Sequence, residues 1–211
     1  MTRIIAIEGN IGSGKSSQLE LLKQYYHNYH LHHINQEIMF IEEPLNIWNS
    51  IVNEHGQTAL QCFYDNQQKY AFSFQMLAYI SRYKILKDAL KKGYDIIFVE
   101  RSLMTDRHVF CKMLYSAGMI NVIEYQIYNM WFDEFLKDIP PIQYIYIVTS
   151  PDIALERIKK RDRKGEELIT LDYIIKLNQY HDDWLNFENC ICIDGNKDKY
   201  TVLNKIIINL F

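Results

Sequence analysis

From Gly9 to Ser16 the chain reads GNIGSGKS, with glycines at the first and sixth positions and a lysine and a serine behind them. Such glycines let successive backbone N–H groups curl around an anion, and a following helix aims its positive end at the same point. Lys15 would neutralise β- and γ-phosphate charge, and Ser16 would ligate Mg2+. Gly9, Asn10, Ile11, Gly12, Ser13, Gly14, Lys15, Ser16 and Ser17 are therefore a candidate site for the phosphates of a nucleoside triphosphate. The apolar run at 3–7 and the helix-like run at 17–29 provide the strand and helix that this loop requires.

A bound triphosphate leaves the acceptor open, and four further stretches bear on it. In Ile41-Glu42-Glu43-Pro44 a carboxylate at the end of a strand could take a proton from an attacking hydroxyl. The alternative is a solvated Glu pair before a proline turn. In Val99-Glu100-Arg101-Ser102, Glu100 could hold Mg2+ through water, and Arg101 suits a developing negative charge or a substrate oxygen. An ion pair of Arg101 with Glu42 or Glu43 is the other reading, and it would also orient the base. Gln75, Ala78 and Arg82 recur at helical spacing within FSFQMLAYISR and share one face. A glutamine among aromatics either reads the edge of a base or is a capped polar residue in a core stripe. Lastly, RIKKRDRK from Arg157 to Lys164 is either a solvated helix face or a basic lid, spanning about 157–170, over transferring phosphoryl groups.

The elements that must position these groups are readable in outline. Apolar, partly β-branched runs recur at 3–7, 38–41, 96–99, 144–148 and 190–193, with helix-like segments between them. That alternation predicts an α/β fold with a parallel five-stranded sheet covered on both faces, and such sheets bind ligands at the carboxyl ends of their strands. Each chemically suggestive stretch sits at one of those ends. Pro140 and Pro141 mark a turn before the fourth strand, and residues 1–211 read as one domain. The segment 121–136 is apolar on more than one face, through Ile123, Ile127, Met130, Trp131 and Phe135, which suits a helix buried on two sides.

Bulk properties remove several function classes. The 211 residues carry a formal net charge of −3, which argues against a large nucleic-acid footprint. Four cysteines without framework spacing point to reduced thiols in a cytoplasmic protein. Cys190 and Cys192 would share one strand face, without the second pair that a metal site needs. His27, His30, His32 and His33 have no acidic or Cys partner nearby and read as a polar connecting segment. No run of about 18 apolar residues is present, so no membrane span is expected. The first strand begins too early to leave room for a targeting peptide.

In order along nearly the whole chain, EGNIGSGKSS, EEPLNIW, YAFSFQMLAYISR, VERSLMTDRHVF, IYIVTSPDIALERIKKRDR, LDYIIKLNQYHDDWL and NKDKY resemble the deoxyribonucleoside kinases. The resemblance implies a P-loop kinase fold, ATP or another triphosphate as donor with Mg2+, a nucleoside acceptor, and a helical homodimer. It casts Glu43 as the base that activates the sugar 5′-hydroxyl, Trp48 as a pocket wall, Tyr64 as a contact to the 3′-hydroxyl and Gln75 as the base reader. Phe74 and Phe110 match positions around the base. Glu100 matches a Mg2+ partner, and Arg101 the group that holds the 5′-oxygen. Arg157, Arg161 and Arg163 match lid arginines on the phosphates, and Glu166 falls where the lid approaches the sugar. The segment before NKDKY is shorter than in deoxycytidine kinase and lacks an aromatic beside the donor base, so donor choice stays open.

Arg82 and Asp106 bear on the acceptor. In the resembling family these positions hold Arg and Asp in deoxycytidine and purine kinases, and apolar residues in thymidine-preferring members. The pair would fill the space of thymine's 5-methyl group, so deoxycytidine and purine deoxynucleosides are expected; a salt bridge without bearing on selectivity is the alternative. Two rival functions remain. A thymidylate-type monophosphate kinase would share Asp106-Arg107-His108, but would need an extra arginine for the acceptor phosphate. A nucleotide-gated switch would use the D-x-x-G at Asp162 to Gly165 and the Asn196-Lys197-Asp198 run. The first lies in a basic helical segment, and the second has Lys199 where an Asp is required.

Overall fold

The computed structural model describes residues 2–29, 36–163, 166–185 and 190–210. Its strands are β1 Arg3–Glu8, β2 Ile38–Ile41, β3 Ile96–Glu100, β4 Ile142–Val148 and β5 Cys190–Asp194. All pair in parallel, in the order β2-β3-β1-β4-β5. The helices, in chain order, are α1 Lys15–Tyr29, α2 Leu45–Ser50, α3 Ala59–Asp65, α4 Gln67–Lys91, α5 Leu103–Thr105, α6 Lys112–Ser116, α7 Val122–Leu136, α8 Pro151–Arg161, α9 Leu171–Trp184 and α10 Lys199–Leu210. Between α5 and α6, Asp106–Cys111 form a π-helical turn. Hydrophobic periodicity does not announce such a turn, and π turns often occur at functional sites.

Alternation along β1 divides the core into two layers. Ile5 and Ile7 point to the side of α1 and α10, where they meet Leu19, Leu22, Val202 and Ile206. Ile4 and Ala6 point the other way and join Tyr79, Tyr128, Phe132 and Ile174, from α4, α7 and α9. Burying both faces requires the nearly continuous apolar runs seen in the central strands. The central strand β1 lies between β3 and β4, so the chain after it enters the crevice where the connections diverge to opposite sides.

Helix ends are set by local chemistry. Thr58 and Gln61 form a reciprocal capping box at the start of α3, and Asn121 with Glu124 does the same for α7. The expected burial of α7 on two sides holds for one side only. Tyr128 and Phe132 are fully buried, whereas Ile123, Met130 and Trp131 are 67%, 61% and 44% exposed in the single chain. Cys190 and Cys192 do share a face, with sulfurs 3.4 Å apart. Asn196 uses its side-chain oxygen to accept from the Ser150 backbone and hydroxyl, latching the loops after β4 and β5 together. Residues His30, His32, His33 and Gly165 lie outside the described residues, as does Lys164 of the basic run. Among the described residues no helix is long and apolar enough to cross a membrane.

Candidate active site

The loop after β1 has the backbone that its glycines require. Gly12 adopts φ +77°, and a Cβ there would run into the carbonyl of Ala154 on α8. The Lys15 ammonium folds back onto the Asn10 carbonyl at 2.6 Å. Burial, more than the neighbouring Arg101, pushes it down to about 7, so an arriving anion would restore its full charge. Asn10 is tied down from behind, its side-chain amide donating to Ile174 O at 2.9 Å. Ser16 Oγ donates to Glu100 Oε1 at 2.6 Å. The two residues expected around Mg2+ therefore meet at the mouth of the loop. Among the described residues no group of three or more His, Cys, Asp or Glu side chains could hold a metal by itself. Hydroxyl and carboxylate oxygens suit Mg2+, which usually keeps few protein ligands and takes the rest from substrate phosphates and water.

A cavity of about 400 Å3 opens from this loop, lined by Gly12, Gly14 to Ser17, Glu43, Trp48, Tyr64, Phe74, Gln75, Ala78, Arg82, Glu100, Arg101, Asp106, Phe110, the three lid arginines and Glu166. Glu43, delivered by the turn after β2, is the electrostatic hub. Its Oε1 accepts from Arg101 Nη1 at 2.7 Å and from Arg82 Nη2 at 2.8 Å, and Arg163 Nη1 stands 3.7 Å from its Oε2. Burial alone would push this carboxyl up, but Arg101, Arg82 and Lys15 outweigh it and hold it at about 2. Glu42 is exposed and does not line this cavity. Arg101 is held at φ +61°, a left-handed conformation that costs a non-glycine residue about 1–3 kcal/mol and clusters at functional sites. Its guanidinium also lies 5.0 Å from the Phe110 ring and 3.3 Å from the Gly9 carbonyl.

Deeper in the cavity, Arg82 Nε is 3.2 Å from Asp106 Oδ2, an ion pair off hydrogen-bond geometry. Burial pushes the Asp106 carboxyl up to about 6 although Arg82 and Arg101 oppose it. Gln75 is 2% exposed and its Oε1 has no hydrogen-bond partner among the described residues, an unsatisfied acceptor aimed into an empty space. Around it Phe74 stacks on Phe63 at 4.8 Å and meets Trp48 edge-on at 5.4 Å, while Trp48 Nε1 donates to Ser81. This makes an apolar slot with one amide at its end.

Arg157, Arg161, Arg163 and Glu166 line the cavity from α8 and the residues that follow it. Glu166 is 6% exposed and accepts from Arg161 Nη2 at 2.5 Å, with Arg163 Nη1 at 3.4 Å. Arg157 Nη1 reaches the Ser13 carbonyl at 3.4 Å. The three arginines thus contact the phosphate loop, Glu43 or the lid's own carboxylate.

The family model for deoxynucleoside kinases matches residues 5–208. The chain belongs to the deoxynucleoside kinase family. A relative from invertebrate iridescent virus 3 is 33% identical over 98% of this chain and 95% of its own length. The mitochondrial deoxyguanosine kinase of Xenopus laevis is 32% identical over 86% of this chain and 72% of its own, and human deoxycytidine kinase 31% identical over 87% and 76%.

In this kinase the structure brings the expected site residues into one cavity and its rim, and adds some that motifs do not reveal. Glu8, the last residue of β1, is fully buried and accepts from Ser102 N at 2.9 Å and from the Thr105 hydroxyl. It fixes the turn that carries Arg101. A carboxylate ending an apolar strand gives no sign of that role. Leu45, beside Trp48 on α2, and Leu60 and Phe63, from the short helix α3 that carries no motif, complete the apolar slot. Beside the expected pairing with Asp106, the guanidinium of Arg82 also grips Glu43.

Proposed function

We propose that this kinase transfers the γ-phosphoryl group of ATP, with Mg2+, to the 5′-hydroxyl of a deoxyribonucleoside, and prefers deoxycytidine and purine deoxynucleosides to thymidine. The observation that carries this reading is Glu43, a mostly buried carboxylate held ionised by two arginines in the cavity that the phosphate loop and the aromatic slot share. A carboxylate there accepts a hydrogen bond from a hydroxyl entering from the slot and directs the oxygen's lone pair at the phosphate side. Phosphoryl transfer passes through a loose transition state in which the hydroxyl proton leaves late, so a base with a depressed pKa still serves. Arg101 holds the same oxygen and absorbs charge as it develops. Lys15 and the backbone N–H groups from Gly12 to Ser16 hold the donor phosphates, and Arg157, Arg161 and Arg163 swing onto them. Ser16 and Glu100 would hold Mg2+, which when bound would supply positive charge against the donor phosphates.

The acceptor base lies between Phe74 and the rings opposite, with its edge on Gln75 and an exocyclic amino group toward Asp106. Tyr64 faces the sugar beside Glu166; burial, Tyr173 and Glu166 raise its phenol well above the usual range, so it stays a donor. The exposed stripe of α7 supports a homodimer, and thiol cysteines fit a cytoplasmic protein. The acidic balance of the chain supports small-molecule partners rather than nucleic acid. The deciding experiment is phosphoryl transfer from labelled ATP to each of the four deoxynucleosides and to their monophosphates. Transfer to deoxycytidine above thymidine is expected, and transfer to monophosphates alone would refute the reading.

A further inference from the structure

Glu8 closes β1 on the face that also carries Ile4 and Ala6, so its carboxylate enters the apolar layer shared with α4, α7 and α9. It is 0% exposed, and the two groups seen to donate to it are neutral. A carboxylate is costly to bury in this way, and an apolar residue would end the strand without that cost. What the carboxylate does instead is span a turn. Oε1 accepts from the Ser102 backbone N–H at 2.9 Å, and Oε2 accepts from the Thr105 hydroxyl. The turn also closes on itself, with Thr105 N donating to Ser102 O at 3.2 Å. One side chain thus grips both ends of the segment 102–105. Ser102 and Thr105 are 3% and 0% exposed, so water competes for neither bond. Ser102 stands at the N-cap of α5 but makes no side-chain cap, and Glu8 takes up its backbone N–H from another strand.

The residues flanking this segment are the ones that matter to the reaction. Arg101 precedes Ser102, and Asp106 follows Thr105. Arg101 keeps its left-handed backbone, φ +61°, only where the surroundings hold it there. Three consecutive residues of the chain provide that hold. Ile7 O accepts from Arg101 N at 3.0 Å, Glu8 fixes the next residue along, and Gly9 O accepts from the guanidinium at 3.3 Å. At the other end Asp106 opens the π-helical turn and places Oδ2 3.2 Å from Arg82 Nε. Glu8 lines no part of the cavity itself. It touches the site only through the segment that joins the arginine at the transfer end to the aspartate at the base end.

We propose that Glu8 is a positioning residue that fixes Arg101 and Asp106 relative to each other, and so sets acceptor selectivity as well as turnover. The proposal rests on the roles given above to Arg101 and Asp106. The test is steady-state transfer from ATP to deoxycytidine and to thymidine, beside thermal melts, for wild type, Glu8→Met, Glu8→Gln and Thr105→Val. Met has nearly the length of Glu and accepts neither bond. In Glu8→Met, kcat with deoxycytidine should fall about tenfold, the scale of one buried hydrogen bond lost. The ratio of kcat/KM for deoxycytidine to that for thymidine should fall about threefold, while KM for ATP stays within about twofold. Gln keeps an oxygen for Ser102 N and offers an amide N–H to the Thr105 hydroxyl, so Glu8→Gln should keep the ratio and stay within about threefold of wild type in kcat. Thr105→Val releases only the Asp106 end, so the ratio should fall as in Glu8→Met with kcat within about threefold of wild type. This variant decides the matter if Glu8→Met fails to fold. A folded Glu8→Met with kcat and ratio unchanged overturns the proposal. So does a Gln variant as damaged as the Met variant, or a Thr105→Val that leaves the ratio unmoved. A wild type that phosphorylates deoxynucleosides without favouring deoxycytidine would refute the acceptor reading instead, and kcat of Glu8→Met against Glu8→Gln would still decide whether Glu8 positions Arg101.

Discussion

Replacing Glu43 by Gln separates chemistry from electrostatic support within one side chain. The carboxylate accepts from Arg101 at 2.7 Å and from Arg82 at 2.8 Å through a single oxygen, and the other oxygen faces the cavity with Arg163 at 3.7 Å. Gln keeps the shape and one acceptor but loses the negative charge and the ability to take a proton. A general base contributes about 10²–10⁴-fold, so kcat should fall by that factor, about 3–5 kcal/mol on the barrier. Two buried guanidiniums would also lose their counter-charge, and breaking a buried pair from one side costs about 3–5 kcal/mol of stability. Glu43→Asp distinguishes the two effects. It keeps the charge but withdraws the carboxylate, so its melting temperature should stay closer to wild type while kcat still falls. The assay is turnover at saturating ATP and deoxycytidine, beside thermal melts and equilibrium nucleoside binding, which Gln should largely retain. The pH behaviour follows from the depressed pKa. Stability from the ionised carboxylate is present above the unfolded value near 4.5 and is lost as pH falls through about 2. Glu43 should therefore give kcat no acid limb above about pH 4. A Gln variant turning over within about threefold of wild type would refute the base assignment.

Arg101→Lys should lose most of kcat, because an ammonium cannot hold Glu43 and a substrate oxygen together as the planar fork does; normal steady-state kinetics would reduce Arg101 to a structural ion pair. Arg161→Ala and Arg163→Ala should each lower kcat by more than they raise the nucleoside KM, since both cations act after closure; an effect on nucleoside KM alone would contradict that. Asp106→Asn should raise the melting temperature at neutral pH by removing a charge whose burial lifts its pKa to about 6, a penalty of up to about 3 kcal/mol that is relieved as pH falls from 7 towards 3.8. The same change should weaken deoxycytidine, and an unchanged melt would show that Arg82 fully compensates the buried charge. Arg82→Met with Asp106→Ala should raise kcat/KM for thymidine relative to deoxycytidine, with Arg82→Met alone the most damaged of the three variants; an unmoved ratio would make the pair purely structural.

Much of this was legible in the residues themselves. Each of the five strands was marked by its apolar run, because a parallel sheet buried on both faces tolerates almost nothing else. The phosphate loop was legible because its glycines and lysine answer to one ligand geometry. Helical spacing correctly put Gln75, Ala78 and Arg82 on one face. Spacing could not show how Arg82 divides itself, since that depends on the turn after β2 and the π-helical turn converging from different parts of the chain. The π turn itself was invisible, since one extra residue per turn leaves composition unchanged. Glu8 was hidden for a related reason. A single polar residue inside an apolar element reads as a strand end or a helix surface until the fold buries it. The outward face of α7 is open in the single chain, and apolar residues on two sides of a helix look the same whether the chain's own core or a second chain covers them.

The arrangement of charges suggests why acceptor choice and chemistry are not independent here. From the lid inward the side chains alternate in sign: Arg163, Glu43, Arg82, Asp106, with Arg101 joining at Glu43. From Glu43 inward the side chains are 13% exposed or less, so water screens little of their mutual attraction. Removing Asp106 takes a charge from the end of this series and leaves Arg82 bonded to Glu43 and to the Glu100 carbonyl at 3.1 Å. Removing Arg82 takes a link from the middle. It strands Asp106, strips Glu43 of one of its two close guanidiniums, and frees the base to move from the line between acceptor and donor. Two residues that look equivalent as a selectivity pair therefore differ in what else they hold. On the proposed reading, an amino group that engages Asp106 would also steady Arg82, and through Arg82 the Glu43 carboxylate, so the base of a bound nucleoside would bear on the geometry of phosphoryl transfer at the far end of the same cavity.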